Sequence, residues 1–400
     1  MPSKAFARWA VFLIGYLFAG AFPVWAENPL VAIGFKHFYN LEYDAAIANF
    51  SQFIAEAPDV PDAYNHLAQA ILYRDMFRAG ALESELVTGN DPFLRRPKVD
   101  ASPEDQRQFD AAIRKAIELA NARLAENPRD TGALYALGVS YGLRSNYGFL
   151  VRKAWHDALR DATTARQFHT RVTEIDPSFV DARMVQGLHD YIVGSLPLHL
   201  RMLGFLLGFH GNREDGIHEV ELVSRTGSLN RIDAEIVLCA IYRREKRQRE
   251  AIPLLLDLMP RFPRNYLFAM ELAQMYSDSG DAKDALGVLD RLEAQKRKGA
   301  RRLAGLSIEK IWYAKGNIQF WYNDLDAALA NLRKATAAKD PDLNTGVLAW
   351  MRLGQVYDLQ GERDLAVEAY RQAADFAPDS DAAKESRGYI STPYRRKRGT

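Results

Sequence analysis

The pentapeptide Gly138-Val139-Ser140-Tyr141-Gly142 satisfies the G-x-S-x-G pattern that exposes a nucleophilic serine in hydrolases. That chemistry needs a strand-to-helix turn, a histidine partner and an oxyanion hole, and no strand-forming run precedes Gly138. The densest group of metal-ligand types is His199, His210 and His218 with Glu219 and Glu221. Zinc sites converge three or four ligands, often two histidines four residues apart on one helical face. None of these histidines has that spacing. Cys239 is the only cysteine, which excludes a disulfide framework and any multi-cysteine metal site. No phosphate loop and no dinucleotide fingerprint is present. The residues therefore assign no catalytic site, no metal and no cofactor, and the chain is expected not to be an enzyme.

What holds these residues is a better guide. The chain has 400 residues, 48% hydrophobic and 26% charged, with a formal net charge of +1. This balance excludes a disordered chain, a collagen and a many-span membrane protein. It also lacks the basic footprint of a nucleic-acid binder, so no nucleic-acid partner is expected.

Internal periodicity organises nearly all of the body. A unit opening at Val347 places Trp350, Leu353, Gly354 and Tyr357 on one face of a first helix, at spacings of three and four. Ala366, Tyr370 and Ala373 make the matching stripe on a second helix, and Pro378 ends it because its ring cannot continue a helix interior. Gly354 lets the second helix come close. The same lattice fits Ile33, Gly34, Ala46, Phe50, Phe53 and Pro58, then Leu238, Cys239, Tyr242, Ala251, Leu255, Leu258 and Pro263. It fits again at Leu272, Ala273, Tyr276, Ala285, Leu289 and Leu292, and at Trp312, Gly316, Ala328, Leu332, Ala335 and Pro341. Units opening at Pro61, Thr131 and Val180 follow it too, but are interrupted between their helices near 73–108, 142–160 and 194–215.

These spacings resemble the 34-residue tetratricopeptide repeat. The resemblance covers about Glu27 to Ser380 and implies an all-α fold, a right-handed α-solenoid of about eight helix–turn–helix repeats, three with insertions. A narrower likeness lies in the run from Leu203 to Gly216, which is similar to a segment of bacterial tetratricopeptide proteins related to the eukaryotic inclusion-body clearance family. It brings no catalytic residues.

The resemblance implies a concave surface lined by first helices. Residues one step off the packing stripe would face it, namely Asn65, Gln69, Tyr135, Met184, Leu188, Met270, Gln274, Tyr313, Asn317, Met351 and Gln355. Amides can bond an extended main chain, and tyrosine and methionine add adaptable apolar contact. Val31 and Phe35 stand where a basic clamp for a chaperone carboxylate would need Lys and Asn. The expected function is a non-catalytic scaffold that binds a protein or peptide partner in this groove.

Both ends carry their own signals. Residues 1–26 run from basic Lys4 and Arg8 through an apolar middle to Phe22-Pro23-Val24-Trp25-Ala26, the pattern of a secretory signal peptide cut after Ala26. Export to a periplasm is expected, and an N-terminal anchor with the body outside is the alternative. Cys239 is then expected to be buried as a small apolar residue. The apolar stretch Leu196–Phe209 is short for a bilayer span and is expected to pack as an inserted helix. Residues 381–400 read as a basic tail, with Tyr394-Arg395-Arg396-Lys397-Arg398 at its centre. An envelope assembly factor touching membrane through that stretch and tail is the second reading. A hydrolase with its site in the insertions is the third.

Overall fold

The computed structural model describes residues 28–82, 98–195, 210–339 and 341–396. Among the described residues there is no strand, and regular structure is helical throughout. The leader at 1–26 and the apolar stretch 196–209, with its His199, lie outside them, as do Lys397 and Arg398.

Contacts divide the chain into two compact units. The first takes described residues up to Phe38, then Glu42–Arg74 and Ala101–Gln186. It holds α1 (Pro29–Tyr39), α2 (Tyr43–Glu56), most of α3 (Pro61–Arg78), α4 (Pro103–Glu126), α5 (Thr131–Tyr147) and α6 (Trp155–Ile175). The second unit takes Tyr39–Leu41 and the described residues of Asp75–Asp100 and from Gly187 onward. Its helices are the rest of α7 (Arg183–Gly194), α8 (Arg213–Thr226), α9 (Arg231–Arg244), α10 (Gln248–Arg261), α11 (Tyr266–Asp278) and α12 (Ala282–Arg297). They continue through α13 (Ile308–Trp321), α14 (Leu325–Thr336), α15 (Leu343–Gln360), α16 (Arg363–Phe376) and α17 (Asp381–Ser391).

Helix starts follow from side-chain caps that satisfy otherwise orphan amides. Asp130 accepts from Ala133 N at 2.9 Å, Asp342 from Thr345 N at 3.0 Å and Ser380 from Ala383 N at 3.1 Å. The turns inside hairpins share a second device. Leu41, Lys246, Gly280, Asn323 and Gly361 all have positive φ, between 58° and 93°. Each lies seven residues after the small residue of its first helix: Gly34, Cys239, Ala273, Gly316 and Gly354. A left-handed residue there turns the chain sharply enough to lay the second helix along the first.

Packing is set by the small–large contact. A Cβ built on Gly34 would stand 2.4 Å from the Phe50 ring, one on Gly316 2.7 Å from Leu332, and one on Gly354 2.5 Å from Tyr370. The interior then grows by addition of hairpins: Phe320, Leu332, Leu353 and Tyr370 share one core with Ala349 and Val356. Cys239 is buried in its own hairpin as a small apolar residue, and burial pushes its thiol pKa up.

Two expectations change. The extra residues of 142–160 are absorbed as longer helices, because α5 continues to Tyr147, a π-turn spans Gly148–Arg152, and α6 starts at Trp155. Residues 381–391 are not a tail but helix α17, whose Ala383 joins the core of Val347, Met351 and Ala373. No helix among the described residues is long and apolar enough to cross a membrane.

Candidate functional site

Ser140 sits at mid-helix in α5 and is fully buried. Its Oγ donates to Asn65 Oδ1 at 2.7 Å and lies 2.9 Å from the Ala136 carbonyl, which also accepts from Asn65 Nδ2 at 2.9 Å. A hydroxyl held between an amide and a carbonyl has no base to activate it and no path to substrate. This serine joins α3 to α5. The metal candidates are also spent or apart: Glu221 accepts from Tyr242 Oη at 2.9 Å and from Arg247 at 3.3 Å, while His210 and His218 are exposed. Among the described residues no three His, Cys, Asp or Glu side chains converge to hold a metal ion.

Burial redraws the expected groove. Asn65, Tyr135, Met184, Tyr313, Asn317, Met351 and Gln355 are each under 10% exposed and therefore do not line an open surface. A first helix is flanked by its own partner and by the next hairpin, so positions one step off the stripe fall in the seam between first helices. Asn65 reaches α5 in this way, Tyr135 packs on His169 and Phe179, and Met351 meets Ala383. Gln69, Leu188, Met270 and Gln274 are half-buried, and Gln274 donates to Asp278 at 2.6 Å.

A different cluster is presented to solvent in the second unit. Helix α13 ends in Phe320 and Trp321; the former is fully buried and the latter 54% exposed, their rings meeting edge to face at 5.3 Å. Arg352 on α15 lies over both, 4.3 Å from the Phe320 centroid and 5.0 Å from that of Trp321. Tyr322, next in the chain, is 40% exposed and donates its hydroxyl to Ser277 O. Guanidinium–aromatic stacks of this kind hold a large side chain in one orientation at the surface.

The chain after α17 folds back beside this cluster. Tyr394 N donates to Asp358 Oδ2 at 2.7 Å, and Arg396 donates to Asn323 Oδ1 at 2.9 Å and to Phe320 O. Asp358 is the anchor of this strap. Its side chain is 1% exposed, and it also accepts from Arg363 at 2.8 Å and Tyr370 Oη at 2.9 Å. Burial and the neighbouring Asp358 carboxylate push the Tyr370 phenol well above its usual range. Tyr394 and Arg396 are therefore docked on protein rather than free in solvent. None of Trp321, Arg352 or Asp358 stood out in the sequence, because long-range docking leaves no periodic signal.

The small–large contact described above has a sequence counterpart. The family profile for Tetratricopeptide repeat matches residues 347–380, which hold most of α15 and all of α16. Residues 347–380 are a tetratricopeptide repeat. No curated protein matches the chain. Among solved structures, the fold resembles the APC/C hetero-tetramer Cut9–Hcn1, at 13% identity and TM-score 0.46, over 90% of this chain and 55% of that one. The chain thus spans about half the length of that relative. Yeast Tom70 aligns at 14% identity and TM-score 0.40, over 90% of this chain and 94% of Tom70. YrrB, a TPR protein with an unusual peptide-binding site, aligns at 14% identity and TM-score 0.32, over 68% and 99%. None of these three TM-scores reaches 0.5, and nothing about this chain's partner follows from them.

Proposed function

We propose that the chain is a non-catalytic scaffold that holds a polypeptide partner, with Trp321 and Arg352 as its anchor. The observation that carries this reading is the exposed Trp321 ring, braced by Phe320 and stacked by Arg352. Trp, Tyr and Arg dominate the energetics of protein interfaces, and an ordered ring loses little further freedom when a partner covers it. The sequestered Ser140 supports the absence of catalysis. In the same unit as Trp321, Leu188, Met270 and Gln274 are half-buried and keep some surface open.

We further propose that the scaffold works outside the cytoplasm, on the strength of the basic, apolar and small-residue order in 1–26. Intact-mass measurement of the envelope protein tests this point, with a mature chain beginning at Glu27 expected. For the scaffold itself, the test is affinity capture with Trp321→Ala plus Tyr322→Ala. Loss of one retained polypeptide at unchanged melting supports the reading. Retention of the same polypeptides by the double variant contradicts it.

A further inference from the structure

The connection from α12 to α13 is longer than the other links between hairpins and concentrates positive charge. Lys296, Arg297, Lys298, Arg301 and Arg302 fall within seven residues, and no acidic residue lies between 294 and 308. Two of the five are used internally: Arg297 pairs with Glu293 at 2.8 Å, and Lys296 Nζ donates to Leu303 O at 2.9 Å. Lys298, Arg301 and Arg302 are exposed and make no ion pair among the described residues. Some other exposed cations are paired, as Arg160 is with Asp157 and Lys384 with Asp381, so what sets this loop apart is three exposed cations within five residues.

The loop is built to hold its shape. Leu303 and Leu306 are buried at 2% and 0% exposure and pin it from below. A short 3-10 helix over Arg301–Leu303 fixes the two arginines, and Ser307 caps α13 immediately after. Lys296 ties the far side of the loop back to α12. The fixed backbone keeps the two arginines side by side, and each guanidinium presents a planar fork that matches a carboxylate.

We infer that this loop is a docking point for a carboxylate-rich segment of a protein partner. The surface chemistry selects that class of anion. Apart from the cations, the exposed loop residues are Gly299, Ala304 and Gly305, so nothing large and apolar is available to insert into a bilayer. No aromatic ring stands in the loop to stack on bases, as single-stranded nucleic acid would require. Successive residues of a 3-10 helix diverge by about a third of a turn, so Arg301 and Arg302 address a chain wrapping the loop better than one flat plane.

This inference rests on the scaffold reading but is tested apart from it. The probe is a fluorescent dodecapeptide of alternating Asp and Glu, titrated with the full chain and followed by anisotropy. Lys298→Gln, Arg301→Gln and Arg302→Gln together should weaken binding at least tenfold. An equal loss of charge elsewhere, through Lys115→Gln, Arg160→Gln and Lys384→Gln, should change it less than twofold. Arg302→Glu alone should weaken binding at least threefold, which decides the matter if the triple variant loses helicity. Equal losses in both triples, no binding by the unaltered chain, or tighter loop-dependent binding of phosphatidylglycerol vesicles or an oligonucleotide would each overturn the inference. Failure here leaves capture through Trp321 untouched, so the two readings fall separately.

Discussion

Gly138 and His169 face each other across α5 and α6 so closely that a Cβ on Gly138 would stand 2.5 Å from the imidazole ring. They are the small and large members of the same contact that Gly354 makes with Tyr370 and Gly316 with Leu332. Here the large member is a histidine, fully buried, with neither ring nitrogen hydrogen-bonded among the described residues. Burial lowers its pKa to about 3.

Acid should therefore loosen the first unit. A histidine whose folded pKa lies below its unfolded value of 6.5 binds more protons when unfolded, so its penalty grows as pH falls from 6.5 toward 3. His66, half-buried with its Nε2 out of contact with solvent and its pKa also lowered to about 3, adds a second such group. His169→Leu restores the residue type seen at Leu255, Leu289 and Leu332 and should flatten this loss. Relative to the unaltered chain, the variant should gain roughly 2 kcal/mol on going from pH 8 to pH 5. Denaturant unfolding at the two pH values measures it.

Asp62 works in the opposite sense. It is buried at the start of α3, and burial raises its carboxyl to about 7 despite the opposing Arg123. The folded state then holds a proton that the unfolded state releases above 3.8, so this group costs stability as pH rises from 3.8 through 7. Asp62→Asn should raise the melting temperature at pH 8 and leave it nearly unchanged at pH 4. A variant that melts lower at pH 8 would show that the charged carboxylate is used.

Lys246 occupies the left-handed turn between α9 and α10 with φ 58° and an exposed side chain. Gly280 and Gly361 fill the equivalent turns without strain. Lys246→Gly removes a penalty of about 1–2 kcal/mol for a side chain in that region, offset in part by the freer unfolded chain. A net gain below about 1 kcal/mol is expected from thermal melts.

The strap should depend on Asp358. Asp358→Asn keeps the size of the side chain but loses the charge that Arg363, Tyr370 and the Tyr394 amide address together. Removing one member of a buried ionic group costs about 3–5 kcal/mol when its partners stay buried. Hydrogen exchange should speed up at Tyr394–Arg396 more than in α13.

How far the sequence reaches is clear from particular residues. Gly34 with Phe50, Gly316 with Leu332 and Gly354 with Tyr370 are each 16 apart, and that constant interval made the hairpins legible. The pairing of Gly138 with His169 escaped because the lengthened α5 and α6 stretch the interval to 31. Periodicity alone puts Asn65, Tyr313 and Gln355 on an open face, because it places a residue on a helix without saying what covers it. Phe320 and Tyr394 meet through chain reversal after α17, a contact between distant segments that no local spacing encodes.

The most direct test of the central claim is photo-crosslinking with benzoylphenylalanine placed at position 321 in the full chain. Position 159 serves as control, since Leu159 is 53% exposed but lies outside the cluster. The scaffold account predicts a discrete adduct of polypeptide size from 321 and none from 159. Equal adducts from both positions, or an adduct of lipid mass from 321, would contradict it.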